Sequence, residues 1–412
     1  MTGCIPPPAQ AVEAVITENK VNKTGSNTMR TVRKLIQKEH GKTKPLYERI
    51  FNEDTQAFTD YYYQYKASEN QIYVVEQSES GDIISMLHLN PYQVRLGSSV
   101  YKVHYIVAVA TREEYRHQGL MRTLLVKTLK DMYNEGEPFT FLMPAAEEIY
   151  LPFDFRFIYN QNQMDLFPED YKREPELEFY CAWMEDVMDL VRFADNTLPE
   201  QYGVYAVHSE EYFYKQLFEQ ECQGGSIVII LEQGQVKGYF LTAEESTPEI
   251  REAVIAKGYE TQLFPIIGKC FRGCEKVKLK GFPVTLESEF TRQVPVIMAR
   301  IVHLEHFMEC LTAKEPVELR LHISDSLIKE NTGDYVFRAD WQGAKLCRLE
   351  KDMEFDLAAA QMNEQDVRIT IAQLAELTFG YRTPEQMNLP LCFTREWKKI
   401  NLFQTVFINE IV

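Results

Sequence analysis

Long apolar runs are missing from these 412 residues. The longest, Val103 to Ala110 around His104 and Ile227 to Leu231, fall well short of the about 18 residues that suggest a membrane-spanning helix, so no membrane partner is expected. Residues 1–28 have neither a basic start nor an apolar stretch, which argues against a secretory signal. Rich in Pro, Ala, Thr and Asn, they read as a disordered leader, and Met29, directly before the first amphipathic segment, offers an alternative start. Cysteine is sparse, with eight in the chain. They lack the dense spacing of a disulfide scaffold, which leads us to expect free thiols in a reducing cytoplasm. Cys270 and Cys274 have no histidine nearby, and His303, His306 and Cys310 share a helix face without a fourth ligand, so no metal is expected. Positive charge is also short: 44 Lys and Arg stand against 61 Asp and Glu, a formal charge of -17. Such a field repels nucleic-acid phosphates and anionic membranes and favours small cations on approach, while also serving solubility.

Hydrophobic residues at 45% and charged residues at 25% are ordinary for a soluble globular chain. At roughly 150 residues per domain, the length suggests about three units, which we place at 29–162, 163–292 and 293–412. In the first, Arg30 to His40 reads as helical. Gln71 to Gln77 and Asp82 to Asn90 flank the turn Ser78-Glu79-Ser80-Gly81 and read as a hairpin. Tyr101 to Ala110 is apolar on both faces, as a buried strand should be. Met121, Leu124, Leu125, Leu129 and Met132 make one helix face that Gly136 closes, and Phe139 to Met143 reads as a further buried strand.

The second unit repeats this order faintly. It has a hairpin, Ser226 to Leu231 and Val236 to Thr242, and an expected helix near Pro248 to Lys257. No Arg/Gln-x-x-Gly-x-x element follows a buried strand there, so an inactive, degenerate copy is expected. The third unit reads as a small α+β layer. A helix Leu304 to Leu311 leads to strands Val317 to Ile323, Asp334 to Ala339, Ala344 to Leu349, Asp356 to Ala358 and Val367 to Thr370, then a helix Ile371 to Phe379.

The most informative stretch is Val107-Ala108-Val109 followed by Arg116-His117-Gln118-Gly119-Leu120-Met121-Arg122. A buried strand, a glycine turn and a helix start present free backbone N–H groups to an anion, and the helix dipole adds attraction. Gly119, without a side chain, allows close backbone approach. On the bland reading this is only a strand-to-helix connection.

These residues resemble the Arg/Gln-x-x-Gly-x-Gly/Ala signature of the GNAT acetyltransferase superfamily, with Met121 at the sixth position in place of Gly or Ala. The fuller string Tyr115 to Leu125, with Phe141-Leu142-Met143-Pro144-Ala145-Ala146-Glu147-Glu148-Ile149-Tyr150-Leu151-Pro152-Phe153-Asp154-Phe155 after the helix, is similar to the Eis family. That resemblance implies an α+β chain made of a GNAT domain, a second degenerate GNAT-like domain and a sterol-carrier-protein-like C-terminal domain. It also implies acetyl-CoA as acetyl donor, a small polycationic amine as acceptor (aminoglycoside-like or lysine-like) and a homo-oligomer, expected to be a hexamer. Val107, Ala108, Val109, the loop Arg116 to Arg122, Tyr150 and Leu151 are then the expected acetyl-CoA contacts. The C-terminal carboxylate, at Val412, is the expected general base, and a tyrosine after the last GNAT strand protonates the leaving thiolate. Aligning the family's Ile-Tyr-x-x-Phe-Gly-Tyr string puts Phe155 at that tyrosine, leaving Tyr150, Tyr159 or water for the role. The rival readings are a non-catalytic protein that binds acyl-CoA or an apolar ligand, and an assembly module.

Overall fold

A computed structural model describes residues 16–18, 29–286, 288–349 and 366–410. The fold is α+β, and most of its strands join one long twisted sheet. Its first half runs β1 (Ile16–Glu18), β2 (Arg30–Lys34), β3 (Gln71–Gln77), β4 (Ile83–Leu96), β5 (Ser99–Thr111) and β6 (Phe139–Leu142), antiparallel up to β5, with β5 and β6 parallel. The β3–β4 hairpin turns through Gly81 at φ 73°, a conformation that favours glycine. A parallel pair needs a crossover, and the helix Leu120–Asn134 supplies it, burying Leu124, Leu125, Leu129 and Met132 before Gly136 ends it at φ 78°.

Two expected helices are strands instead. Arg30–Lys34 pairs with β3 through Val32 opposite Val75, and Arg33 Nε reaches Glu76 at 2.6 Å. Val32, Leu35 and Ile36 fit a helical stripe, but the buried alternation at Arg30 and Val32 decided for sheet, followed by a 3-10 turn Gln37–Thr43. Within the expected leader, Ile16–Glu18 pairs with β2. The second misreading was Pro248–Lys257, where Glu249–Ile255 forms a strand buried throughout. Its charged residues are partnered inside: Glu249 with Lys280 at 2.7 Å, Arg251 with Glu245 at 3.2 Å, Glu252 with the Tyr239 hydroxyl at 3.0 Å.

β7 (Arg156–Leu166) ends the first half, and in the second half β8 (Glu178–Cys181), β9 (Val204–Ala206), β10 (Ile227–Glu232), β11 (Gln235–Ala243), β12 (Glu249–Ile255), β13 (Val277–Lys280) and β14 (Arg292–Ile301) follow. The order β13-β12-β11-β10-β8 repeats the first half, and the helix Glu260–Cys270 links the parallel β12 and β13. The halves are joined by exchange: β14 lies between β6 and β7, and β7 lies between β14 and β13. The last strand of each half thus completes the sheet of the other.

The remaining chain forms a smaller sheet. Strands β16 (Val317–Ser324), β17 (Gly333–Ala339), β18 (Ala344–Arg348) and β19 (Asp366–Thr370) lie in the order β18-β17-β16-β19, with only β16 and β19 parallel. The expected strand 356–358 lies outside the described residues. The helix Ile371–Thr378, capped by Thr370, packs this layer on β7 and β14. Arg300, fully buried on β14, bonds the Phe153 carbonyl at 2.9 Å and Asp325 at 2.5 Å, tying the layer to the sheet. The chain then returns: Val406–Phe407 pairs in parallel with β9, carrying the C-terminal segment to the junction of the halves.

Candidate active site

Strands β5 and β6 pair only at Tyr105 and Phe141, then part. Opposite β4 the register slips: His88 faces Val107 and Met86 faces Ala110, so Ala108 and Val109 bulge, with Ala108 at φ 48°. A bulge of this kind frees backbone groups from the ladder and re-aims the strand. It stands where the fork opens.

Next to the fork is the predicted loop. His117 and Gly119 adopt φ 61° and 80°, and the helix begins at Leu120. Its ladder starts with the Thr123 N–H bonding the Gly119 carbonyl at 3.0 Å, so the amides of Gly119, Leu120, Met121 and Arg122 precede the first intrahelical bond. A side chain at Gly119 would point into open space. Arg116, His117 and Arg122 are exposed, with the Arg122 guanidinium 5.5 Å over the Phe153 ring. Gln118 braces the loop, accepting from Arg30 at 2.8 Å and donating to the Glu114 carbonyl at 3.3 Å. Leu120 is buried and Met121 packs against the core, so these two can offer only backbone to a ligand. The bulge lies near the end of β5 from which the chain runs into the loop.

Phe155 is fully buried, its ring 6.0 Å from that of Tyr150 in a T-shaped contact. Its missing hydroxyl is thus a feature of the core. Tyr159 is committed elsewhere: its hydroxyl donates to Asn409 Oδ1 at 2.9 Å. Tyr150 ends the short helix Glu147–Tyr150 directly after β6, 7% exposed, and burial pushes its phenol up to about 12. Leu151 follows it, half-buried. Val412 lies outside the described residues.

Sequence reading missed a polar cluster at the junction of the halves. A cavity of about 670 Å³ is lined by residues including Lys66, Asn70, Asn90, Tyr92 and Tyr212. Lys66 bonds Glu219 at 3.1 Å, and the Tyr61 hydroxyl donates to Glu219 at 2.9 Å. Glu410 is 3% exposed, and burial lifts its carboxyl to about 7, while Lys66, Tyr92 and Tyr212 favour its ionised form. Tyr92 in turn packs 6.1 Å from the Tyr105 ring at the fork. Asn409 holds this segment in place by accepting from Tyr159 and Gln161 and donating to Glu252 at 3.3 Å. The cluster draws on residues hundreds of positions apart. The one local signal was a lone glutamate in the apolar ending Phe407-Ile408-Asn409-Glu410-Ile411.

The histidines considered for metal are used in structure: His303 accepts the His306 N–H at the start of its helix, and His306 Nδ1 pairs with the Gly136 carbonyl at 2.8 Å. Among the described residues no group of three or more His, Cys, Asp or Glu could hold a metal ion, and no helix is long and apolar enough to cross a membrane.

Fork, bulge and anion-ready loop define the class of domain, and residues 31–158 match the family model described as acetyltransferase (GNAT) domain. Residues 304–396 match the model described as sterol carrier protein domain. No curated protein sequence matches the chain. Solved structures share the fold along nearly the whole chain. A conserved Enterococcus faecalis V583 protein of unknown function, put forward as an N-acyltransferase, has a TM-score of 0.75 at 18% identity over 92% of this chain and 100% of its own. A GCN5-related N-acetyltransferase from Anabaena variabilis reaches 0.75 at 15% identity over 93% and 100%. Eis1 from Mycobacterium abscessus reaches 0.66 at 12% identity over 93% and 100%.

Proposed function

We propose that this chain transfers an acetyl group from acetyl-CoA to an amine of a small, cationic acceptor, aminoglycoside-like or lysine-like, by direct attack. The single observation that carries the reading is the meeting of the β5–β6 fork, the Ala108 bulge and the loop of unbonded amides at Gly119 to Arg122. The residues fit the donor: backbone N–H groups and the exposed Arg116 and Arg122 suit a pyrophosphate, and the loop leaves open space above Gly119. The bulge at Ala108 opens β5 beside the place where a thioester would lie. Tyr150 is the acid in this reading, because its phenol keeps its proton at neutral pH and it follows β6 directly. The base is a carboxylate on the C-terminal segment, for which the chain end at Val412 is the candidate drawn from family resemblance.

The division at 29–162, 163–292 and 293–412, the homo-hexamer and the cytoplasmic location belong to this same reading. Support for the catalytic reading over the non-catalytic alternative comes from the Tyr150 phenol, which lies beside the buried Phe155 ring and can serve as acid in its place. Mixing the protein with acetyl-CoA, a thiol-detecting reagent and a panel of amines tests the proposal. Amine-dependent release of CoA is expected, and its absence across kanamycin, L-lysine and diamines would sink it.

A further inference from the structure

We propose that Asn70 and Asn90 hold the acceptor and select an amine flanked by a hydroxyl over an amine on a plain alkyl carbon. This rests on the acetyl-transfer reading above and names the kind of amine that the site takes.

The residues stand in one row across the sheet. Tyr105 pairs with Phe141 where β5 and β6 separate, and on its other side it pairs with Asn90 on β4. Asn70 directly precedes Gln71, whose partner is Leu89, so it stands beside Asn90 at the start of β3. Directly paired residues share a face of the sheet, and neighbouring strands lie about 4.8 Å apart, which puts Asn90 one strand from the fork on the face of Tyr105 and Phe141. Tyr92, two residues on and therefore on that same face, packs its ring 6.1 Å from Tyr105 and 6.0 Å from Phe141. The cavity of about 670 Å³ that Asn70, Asn90 and Tyr92 line is thus beside the fork. On β5 it reaches Val100 and Lys102, before Tyr105, whereas the bulge at Ala108 and the glycine loop come after Tyr105. Cavity and loop flank the fork from opposite ends of the strand.

The wall has hydrogen-bonding atoms to spare. Asn70 and Asn90 are 5% and 2% exposed. Asn70 gives its Nδ2 to the Tyr62 hydroxyl at 3.2 Å and leaves Oδ1 bare, and neither amide atom of Asn90 has a partner among the described residues. Buried amide atoms left bare are costly, so this wall is shaped for a ligand that completes them. Two oxygens call for donors and one NH2 group calls for an acceptor. A neutral amine gives its two N–H groups to the two oxygens and keeps its lone pair unengaged, while a hydroxyl oxygen on the adjoining carbon accepts from Asn90 Nδ2. An amine on a plain alkyl carbon serves the oxygens but leaves that Nδ2 bare.

Charge does little of this recognition. Glu69 and Glu211 on the wall share Lys215, each at 2.6 Å, and Lys66 is bonded to Glu219 at 3.1 Å. With its carboxylates already held by lysine, the cavity offers several ammonium groups no counter-charge. An amine beside a hydroxyl on a sparsely charged frame, as in a simple amino sugar, fits it better than a polyamine or the alkyl amine of lysine.

The test measures kcat/KM for CoA release with 2-aminocyclohexanol and cyclohexylamine, which differ in one hydroxyl, counting only the neutral amine of each. The unaltered chain is expected to favour 2-aminocyclohexanol at least about tenfold, because a site built to hydrogen-bond a hydroxyl rejects the analogue that lacks it. Asn90→Leu should remove that preference without lowering the melting temperature, since it takes bare polar atoms out of a buried wall. Asn70→Leu should raise KM for both amines about tenfold and leave the preference in place. Acetyl-CoA affinity by calorimetry should be unchanged in both. The two amines in the unaltered chain, together with Asn70→Leu, decide the matter even if Asn90→Leu fails to fold. Equal kcat/KM for the two amines in the unaltered chain, a preference that survives Asn90→Leu, or an Asn70→Leu KM that does not move overturns the proposal and leaves the amides to water. No CoA release from the unaltered chain with any amine, kanamycin and L-lysine included, would instead overturn the acetyl-transfer reading itself.

Discussion

The two halves of the long sheet use the same strand–helix–strand unit to opposite ends. In the first, β5 and β6 touch at one residue pair, and the connecting loop leaves the amides from Gly119 to Arg122 without intrahelical partners. In the second, β12 and β13 are in register at Glu249 with Lys278 and Ile250 with Leu279, so the strands do not open there. Its loop also has a glycine at positive φ, Gly258 at 90°, but the Gly258 N–H donates to the Glu260 carboxylate at 2.7 Å. The second half has thus filled its own anion site with an acidic side chain, which would also repel a phosphate. A glycine turn before a helix is therefore not enough for ligand binding. What distinguishes the first half is that its amides are left unclaimed and its strands part beside them.

The largest expected effect breaks this asymmetry. Gly119→Val puts a β-branched side chain at φ 80° and over the amides, and acetyl-CoA affinity by calorimetry should fall about a hundredfold or more. Gly258→Val makes the same chemical change in the second half and should leave that affinity unaltered. Equal losses in both variants would mean that the effect is on folding and not on the ligand.

A smaller effect is expected at the acid. Tyr150→Phe should lower kcat by about ten- to a hundredfold with little change in acetyl-CoA affinity, in keeping with the loss of one positioned acid. Phe155→Tyr should give no gain in turnover and should cost stability, because it buries a hydroxyl in a fully enclosed site. Faster turnover in Phe155→Tyr would restore the alignment-based assignment.

Much of the first half was legible in the sequence because its signals are local. The turn at Gly81, the stripe from Leu124 to Met132 and the glycine before the helix each need only a few neighbouring residues. The errors came where tertiary partners overrode local pattern. Val32 and Leu35 could stripe a helix, and only pairing with β3 made the segment a strand. The charges of Glu249–Ile255 lie inside because Lys280, Glu245 and Tyr239, all distant in sequence or across a turn, partner them there. Phe155 was aligned with the family's tyrosine from spacing alone, and its full burial could not be read from that string. The strand exchange and the Glu410 cluster had no local signal that could outweigh the ordinary reading, since Lys66, Tyr92, Tyr212 and Glu410 meet only after the halves join.

The comparison also predicts how stability follows pH. On β12, the counterpart of β5, Glu252 is buried. It receives the Tyr239 hydroxyl and the Asn409 amide, and burial pushes its carboxyl up to about 8. A carboxyl raised in the folded chain keeps its proton there while the unfolded chain loses it, so stability declines as pH rises from the ordinary carboxyl range to about 8 and is level beyond. Glu410 adds to the decline up to about 7. His88 and His208 work the other way: burial lowers both to about 3, so the unfolded chain binds their protons more readily below about 6.5 and stability rises with pH there. The net result is a stability that is level from about pH 4.5 to 6.5, where the two carboxyls and the two histidines offset one another, and that falls by roughly 3 kcal/mol towards pH 8, at about 1.4 kcal/mol per group and pH unit. Glu252→Gln preserves the shape of the side chain and removes its charge, so it should flatten that fall while leaving acetyl-CoA affinity intact. Calorimetric melting at pH 6.5, 7.25 and 8 checks this, and an equal fall in the variant would assign the loss to groups other than Glu252.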